Sequence, residues 1–188
     1  MASALGRKYD PAMKYTVLAF VAFTLAASSL SAQQVTKPQV AGITNFARLE
    51  TTIACGGATT PEALAEIKKM GFKAVFNMRQ ASEAGADIPK EEATAKEIGL
   101  NFIHIPYNTQ APEPGVADKF LAEIQKPGNQ PAYIHCAGGS RAAGMWMIKR
   151  VLVDKWDMAR ASKEAVDLGL ANDRVKQYAM DYIKTHQK

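Results

Sequence analysis

The sequence predicts an α/β protein with a central, mostly parallel sheet of four to five strands, flanked by helices and followed by a helical C-terminal part. Two short apolar runs, Ala74–Phe76 and Ala132–Ile134, have the length and composition of buried strands. Helical patterns separate runs of this kind, and that alternation indicates βαβ units and a parallel sheet.

Local signals predict the first elements. Asn45–Ala54 is predicted to be one extended segment. Thr60 and Pro61 are preferred residues at the N-cap and the first position of a helix, so a helix is predicted to begin there. Gly71 is predicted to end it, because glycine readily adopts the left-handed conformation that closes many helices.

The remaining elements alternate in the same way. Their predicted order is strand Phe72–Met78, loop Ser82–Ile88, helix Pro89–Ile98, strand Leu100–Ile105, loop Tyr107–Gly115, helix Val116–Ile124 and a strand that leads into Cys136. Three helices are predicted to follow, one beginning near Arg141, then Met158–Leu168 and Asp173–Thr185. Ligands of such sheets bind beyond the carboxyl ends of the strands. Arg79, the Tyr107–Gly115 loop and Cys136 are therefore expected around one cleft.

The first 32 residues are predicted to be a signal peptide, with Met13 as an alternative start. Lys14 precedes the apolar run Tyr15–Ala27, and small residues follow as far as Ala32, which is the pattern of an export signal. The alternative is an uncleaved membrane anchor, although the run is short for a span of about 20 residues. Residues 33–44 are predicted to be a flexible lead-in and residues 45–188 a single domain. This organisation implies a periplasmic or secreted protein with no stable membrane partner after cleavage.

Composition excludes several kinds of function. The 188 residues are 47% hydrophobic and 22% charged, which suits a globular domain. The net charge is +5, but Lys and Arg form no run, so nucleic acid is not an expected partner. Cys55 and Cys136 form no CxxC motif and no His pair has ligand spacing, so neither a metal site nor a cofactor is expected. The oligomeric state is not indicated.

The stretch from His135 to Arg141 carries the strongest chemical signal. Gly138 and Gly139 separate a buried strand from a long helix. In such a turn the first backbone N–H groups of the helix converge and carry the positive end of its dipole, so an anion is favoured there. Cys136 is expected to be a thiolate nucleophile at this position. Arg141 adds a planar fork of donors suited to phosphate or sulfate, and His135 is expected to orient the loop or tune the thiol.

These residues resemble the phosphate loop of cysteine-dependent phosphatases of the tyrosine and dual-specificity type. Those loops have five residues between Cys and Arg, whereas this chain has four, Ala137–Ser140. The shorter spacing resembles that of the bacterial beta-lactamase-hydrolase-like protein phosphatase-like family and also that of rhodanese-type sulfurtransferases. The bacterial resemblance extends over about residues 45–170 and is supported by three further stretches: Gly56–Pro61, Asn77–Arg79 and His104–Pro106.

The phosphatase resemblance assigns roles to the loop. It implies that Cys136 attacks a phosphate monoester to form a cysteinyl-phosphate, and that Arg141 holds two phosphoryl oxygens. The N–H groups of Ala137, Gly138, Gly139 and Ser140 bind the other oxygens, and the Ser140 hydroxyl is expected to donate to the thiolate.

A general acid is less clearly indicated. The family pattern places an Asp in the loop after Pro106, but Glu113 is the only carboxylate in Tyr107–Gly115. Glu113 is therefore the predicted acid, and Asn108 is predicted to position the substrate. Arg79 either orients the loop, adds positive potential to the cleft or forms a structural ion pair.

Two alternatives to an active phosphatase remain open from the sequence. A sulfurtransferase would carry a persulfide on Cys136, and a non-catalytic module would bind an oxyanion without turnover. The partner is expected to be a phosphate-bearing or other anionic substrate in each case.

The second cysteine adds a further question. A disulfide between Cys55 and Cys136 would consume the nucleophile. The favoured interpretation is that Cys55 is a packed thiol too far away, because disulfide geometry is narrow.

Overall fold

The computed structural model describes residues 34–50 and 52–187. The predicted signal peptide, residues 1–32, lies outside this part of the chain. Within the described ranges no helix is both long and apolar enough to cross a membrane.

One six-stranded sheet forms the centre of the described protein. Its strands are β1 (Val35–Thr36), β2 (Ala47–Leu49), β3 (Ile53–Gly56), β4 (Ala74–Asn77), β5 (Asn101–His104) and β6 (Ala132–His135). They lie in the order β1-β2-β3-β6-β4-β5. The last four strands of that order are mutually parallel, whereas β1 and β2 add antiparallel pairs at one edge. The predicted α/β class with a mostly parallel sheet is confirmed.

The antiparallel edge differs from the sequence prediction. The segment Asn45–Ala54, predicted as one extended stretch, is a hairpin, in which β2 and β3 pair and Glu50 adopts a positive φ of 47° at the turn. Val35 pairs with Leu49, so the sheet begins inside the segment 33–44 that was predicted to be a flexible lead-in. The hairpin turn carries no glycine, and β1 has only two residues, so neither produces a recognisable sequence pattern.

Six α-helices accompany the strands in the described ranges. They are α1 (Leu64–Lys69), α2 (Ile88–Glu97), α3 (Val116–Ile124), α4 (Ser140–Leu152), α5 (Met158–Asp167) and α6 (Asp173–His186). A 3₁₀ turn, Pro61–Ala63, precedes α1, and the Thr60 side chain makes no capping hydrogen bond there. The other helix boundaries lie within a residue or two of those predicted.

Helices cover both faces of the sheet. Along β6, Tyr133 packs with residues of α1 and α2, whereas its neighbour Ile134 packs with residues of the C-terminal helices. Because both faces are buried, the inner strands consist of continuous apolar runs rather than alternating ones. That property made them recognisable in the sequence.

Register places three strand ends side by side. In the parallel ladders Gly56 and Asn77 are both aligned with His135, the last residue of β6. The segments that follow these residues therefore leave the sheet at one edge, and Cys136 lies at its centre.

We predict that Gly144→Ala destabilises the fold, although glycine in a helix is normally less stable than alanine by about 0.5–1 kcal/mol. Gly144 lies where α4 packs against α6, and an added Cβ would lie 2.5 Å from Cγ1 of Val175. Overpacking of this kind typically costs about 1–3 kcal/mol. Urea unfolding should show a lower free energy of unfolding for Gly144→Ala. The double variant with Val175→Ala should recover part of the loss, whereas a single variant more stable than wild type would contradict the packing argument.

Candidate active site

Cys136 lies directly after the central strand β6, at a cavity of about 370 Å³. Its backbone N–H donates to the carbonyl of Gly56 at 3.2 Å, which holds it to the end of β3. Its Sγ accepts a hydrogen bond from the N–H of Gly139 at 3.1 Å. The residue is only 2% exposed. The hydrogen bond fixes the sulfur against the loop that follows it.

The two carbonyls that follow Cys136 point away from the cavity into the surrounding protein. The carbonyl of Ala137 accepts from the N–H of Ala58 at 2.9 Å. The carbonyl of Gly138 accepts from the side-chain amide of Asn45 at 3.2 Å. Asn45 adopts a positive φ of 50°, a conformation that asparagine tolerates better than most residues.

This arrangement orients the loop's N–H groups. In a trans peptide the C=O of one residue and the N–H of the next point in opposite directions. Because the carbonyls of Ala137 and Gly138 are directed outward, the N–H groups of Gly138 and Gly139 are directed toward the sulfur side. The hydrogen bond from Gly139 to Cys136 shows one of them doing so. The loop therefore presents donors where an oxyanion would lie.

Glycines allow the neighbouring turn to approach this loop. A Cβ on Gly57 would lie 2.9 Å from the Ala137 carbonyl oxygen and would overlap the Thr44 hydroxyl. A Cβ on Gly56 would overlap the Tyr133 hydroxyl. The Gly56-Gly57 pair in the family resemblance thus has a steric cause, since only glycine lets Ala58 reach the Cys–Arg loop.

Arg141 lies in the first turn of α4 and is held from three sides. One terminal nitrogen, Nη1, donates to the carbonyls of Met78 at 2.9 Å and Tyr107 at 2.8 Å. Nη1 and Nη2 also donate to the two carboxylate oxygens of Glu83, at 2.6 and 2.8 Å. Burial lowers the pKa of Arg141, but the hydrogen bonds that Arg141 donates to Glu83, together with the nearby charge of Cys136, outweigh this effect, so the pKa of Arg141 is raised. The guanidinium is therefore charged and fixed beside the sulfur.

Glu83 is the residue that joins the two arginines, and the sequence analysis missed it. Besides Arg141, it accepts from the N–H of Gln80 at 2.8 Å and from Nε of Arg79 at 3.4 Å. Burial raises the pKa of Glu83. The hydrogen bonds that it accepts from Arg141 and Gln80 lower the pKa by more, so the pKa of Glu83 lies below its ordinary value. One carboxylate within a polar loop carries no periodicity or motif, so no sequence signal singled it out.

Arg79 is placed behind this carboxylate and does not line the cavity. It donates to the carbonyls of Gly85 and Ala84 at 3.1 and 2.5 Å. Of the alternatives predicted for Arg79, the geometry shows the structural ion pair, formed with Glu83 at 3.4 Å. The carbonyls that it binds belong to the 82–88 loop and not to the Cys–Arg loop.

His135 is fully buried and makes no part of the cavity wall. Its Nε2 lies 2.6 Å from one carboxylate oxygen of Glu91, and the other oxygen accepts from the Asn77 amide at 2.7 Å. The imidazole also stacks on Tyr133 at a centroid distance of 5.5 Å. This buried polar chain ties α2 to the ends of β4 and β6. Glu91 lies in a charged run of α2 and was not recognised as buried.

Of the other predicted site residues, Asn108 and Ser140 line the cavity, whereas Glu113 lies on the surface. Asn108 lines the cavity, and its Oδ1 accepts from the N–H of Gln110 at 2.9 Å. The Ser140 hydroxyl donates to the Gly169 carbonyl and accepts from Ala171, both at 3.0 Å, so it binds the α5–α6 connection rather than the thiolate. Glu113 is exposed and is not among the residues that line the cavity.

Cys55 is a free, buried thiol on the strand next to Cys136. It pairs with Ile134, two residues before Cys136. Burial, together with the charge of Cys136, raises the pKa of Cys55 well above its ordinary value. In residues 34–50 and 52–187, no group of three His, Cys, Asp or Glu side chains is arranged to hold a metal ion.

Several solved structures share this fold at low sequence identity. TpbA of P. aeruginosa in complex with pTyr superposes with a TM-score of 0.62 and 15% identity, covering 84% of this chain and 92% of that chain. The catalytic domain of the PP-IP phosphatase SIW14 from S. cerevisiae, in complex with citrate, superposes with a TM-score of 0.61 and 18% identity, covering 77% of this chain and 88% of that chain. A DUF442 protein from Shewanella putrefaciens CN-32 superposes with a TM-score of 0.62 and 19% identity, covering 77% of this chain and 93% of that chain. No curated protein matches the chain.

A family model places the chain among the cysteine-dependent phosphatases. The family model described as "DSP-PTPase phosphatase fused to NAD+ Kinase" matches residues 31–187, which is most of the chain. The protein belongs to that family, and is thus a phosphoric monoester hydrolase of the tyrosine and dual-specificity type.

We predict that Glu83→Gln weakens oxyanion binding, because the amide removes one charge-assisted partner of Arg141. Hydrogen bonds to charged groups contribute about 1.5–3 kcal/mol, so the affinity for vanadate should fall roughly 10-fold or more. Because the pKa of Glu83 is lowered in the folded protein, the stability that its carboxylate contributes is present above the ordinary pKa of glutamate and is lost as the pH falls through the lowered pKa. The stability difference between wild type and Glu83→Gln should therefore narrow in acid.

Vanadate titration and urea unfolding across pH test this prediction. Glu66→Gln is a matched control, since the Glu66 side chain is 45% exposed, lies outside the cavity wall and forms a surface ion pair with Lys69 at 2.7 Å. Tighter vanadate binding by Glu83→Gln would mean that Glu83 competes with the oxyanion instead of holding Arg141 for it.

We predict that Cys55 and Cys136 both remain free thiols in the native protein. A regular parallel ladder with their two-residue offset puts the Cα atoms about 8 Å apart, given the usual strand spacing and rise. A disulfide requires about 4.4–6.8 Å. Alkylation in denaturant without reductant should therefore modify two thiols by intact mass. A protein lighter by two hydrogens and without alkylated cysteine would show the disulfide instead.

Proposed function

We propose that the protein hydrolyses phosphate monoesters through a covalent cysteinyl-phosphate on Cys136. The observation that carries this proposal is the loop geometry: outward carbonyls leave inward N–H groups around a sulfur that already accepts one of them. Arg141 lies in the same cavity wall with its charge fixed. The two neighbours whose structures contain pTyr and citrate support an anionic substrate.

In the first step the Cys136 thiolate attacks phosphorus. An S–P bond forms, and the bond between phosphorus and the leaving oxygen breaks with its electron pair on that oxygen. Arg141 and the loop N–H groups bind the three remaining phosphoryl oxygens, on which negative charge is spread in the transition state. Such donors act because they are fixed before the reaction begins, so they need no reorganisation.

In the second step water attacks the cysteinyl-phosphate. The S–P bond breaks, inorganic phosphate leaves and the thiolate returns, with the proton of water passing to phosphate or solvent. In tyrosine phosphatases a hydroxyl residue usually follows the arginine, whereas Ala142 stands here. We infer that this step is slow, because the hydroxyl that usually assists is missing.

Two finer assignments belong to the same proposal. The four-residue spacing of Ala137–Ser140 supports membership of the bacterial beta-lactamase-hydrolase-like subfamily of phosphatases. The pattern of residues 1–32 supports export to the periplasm, with residues 33–188 as the mature protein. Fractionation of cells that express the full chain, followed by N-terminal sequencing of the mature protein, tests the second assignment.

We predict that Cys136→Ser abolishes hydrolysis of p-nitrophenyl phosphate while binding of vanadate, as a phosphate analogue, persists. Serine has nearly the same shape but is a far weaker nucleophile at neutral pH. Rapid mixing of wild type should show a burst of nitrophenol close to one equivalent, because breakdown of the intermediate is slow. Acid-quenched intact mass should show one added phosphoryl group on wild type only.

Two results would contradict the assignment. Equal activity of wild type and Cys136→Ser would remove Cys136 as the nucleophile. Added sulfur on Cys136 after exposure to thiosulfate, with no phosphoryl adduct, would favour the sulfurtransferase alternative.

A further inference from the structure

The cavity beside Cys136 contains one carboxylate among the described residues that line it, and that carboxylate cannot donate a proton. Both oxygens of Glu83 accept from Arg141, and one also accepts from Gln80. These hydrogen bonds keep Glu83 ionised, as its lowered pKa also indicates. Glu83 is therefore an anchor for the arginine and does not serve as a general acid.

The other acidic groups near this edge of the sheet are placed elsewhere. Glu113 is exposed and outside the cavity wall. Asp118 also lies outside that wall and accepts a hydrogen bond from the Tyr182 hydroxyl at 2.5 Å. Neither carboxylate lies where it could protonate an oxygen that leaves phosphorus above Cys136.

The remaining proton donors are also committed or out of reach. His135 is buried against Glu91, and His104 binds the Arg79 carbonyl at 2.8 Å. Tyr107 lines the cavity, but its hydroxyl is buried and its pKa is raised by burial and by Tyr178. A phenol of that kind releases its proton less readily than an ordinary tyrosine.

We propose that the site works without a general acid and therefore acts on phosphates whose leaving oxygen is only weakly basic. These are esters of phenols and enols, and acyl phosphates. Alkyl esters, such as those of sugars, polyols, serine or threonine, are poor substrates, because an alkoxide leaves slowly unless it is protonated. This inference rests on the proposed function and narrows its substrate class.

Phosphoanhydrides also have weakly basic leaving groups, but the charge in the cavity disfavours them as substrates. Arg141 is the one cationic side chain among the described residues that line the cavity. The mouth is otherwise formed by neutral hydrogen-bonding side chains, namely those of Gln80, Asn108, Thr109, Gln110 and Asn172. A departing phosphate carries more charge than a phenolate and favours Arg or Lys partners. The cavity offers it none beyond the arginine that already holds the transferred group.

Asn108 supplies the interaction that an acid-independent site needs. Its Oδ1 accepts from Gln110, so its NH₂ group is left to donate to the leaving oxygen. That oxygen departs with the electron pair of the P–O bond, accepts this hydrogen bond and takes its proton from solvent afterwards. An amide stabilises the departing anion but does not protonate it.

The decisive measurement is the dependence of kcat/KM on leaving-group basicity. A series of substituted phenyl phosphates should show a steep decline as the phenol becomes more basic. The kcat/KM for alkyl phosphates such as glycerol phosphate and O-phosphoserine should be lower still, since a general acid typically contributes about 10²–10⁴-fold to the rate. In Glu113→Gln, the slope of kcat/KM against leaving-group basicity and the individual rates should both stay within about twofold of wild type. A flat slope, or a loss of 100-fold in Glu113→Gln, would overturn the proposal.

A gain of function provides the second test. Asn108→Asp is isosteric, keeps the acceptor for Gln110 and introduces a carboxyl group into the cavity wall. It should raise kcat/KM for glycerol phosphate at least about 10-fold at acidic pH, where the new acid is protonated. Asn172→Asp adds the same charge to the same wall at a helix N-cap, where Asp is well tolerated, and should leave the slope unchanged. If wild type already hydrolyses glycerol phosphate as fast as p-nitrophenyl phosphate and Asn108→Asp adds nothing, an acid is present and the inference is wrong.

The two proposals fail in distinguishable ways. Loss of the Cys136 dependence would remove the phosphatase mechanism itself, whatever the slope. A Cys136-dependent activity with efficient hydrolysis of alkyl phosphates would leave the mechanism standing and overturn only the acid-independent substrate class.

Discussion

Two outward hydrogen bonds determine the conformation on which the site depends. They join the carbonyls of Ala137 and Gly138 to Ala58 and Asn45, residues that lie far from the loop in sequence. Without them the same peptides could turn and point carbonyl oxygens at the sulfur, which would repel a thiolate and an oxyanion alike. The orientation of the loop's N–H groups is thus maintained by residues beside the carboxyl end of β3, and the dipole of α4 adds positive potential at the same place.

Arg141 is a nearly buried cation, and a buried cation is costly unless it is paired. Arg141 solves this by binding two carbonyls and both oxygens of Glu83. Glu83 in turn neutralises Arg79, so two cations and one anion share a small region. Glu83 lies closer to Arg141, at 2.6 and 2.8 Å, than to Arg79, at 3.4 Å, and each of these three charges has a partner.

The sequence predicted the α/β class and the Cys–Arg loop because both depend on local patterns. Buried parallel strands are continuous apolar runs, and the loop is a Cys, two glycines and an Arg between a strand and a helix. It did not predict the hairpin of β2 and β3, Glu83, Asn45 or the burial of Glu91. Glu83, Asn45 and Glu91 are each defined by a partner 14 or more residues away, so nothing in their own neighbourhood marks them. The hairpin pairs residues only four to eight positions apart, but its turn has no glycine to mark it. Ser140 and Arg79 were recognised as important residue types, but their contacts could be learned only from the structure.

A similar fold does not determine whether a general acid is present at the site. The sheet register sets where the loop after β5 leaves the fold, and this fixes the backbone at Tyr107 through its contact with Arg141. What the following residues do chemically depends on side chains alone, and a loop tolerates their exchange far more readily than a strand does. The fold that positions Cys136 and Arg141 persists at identities below 20%. Asn108, Thr109 and Gln110 line the cavity from this loop, so the side chains that meet the leaving group are set there and not by the fold.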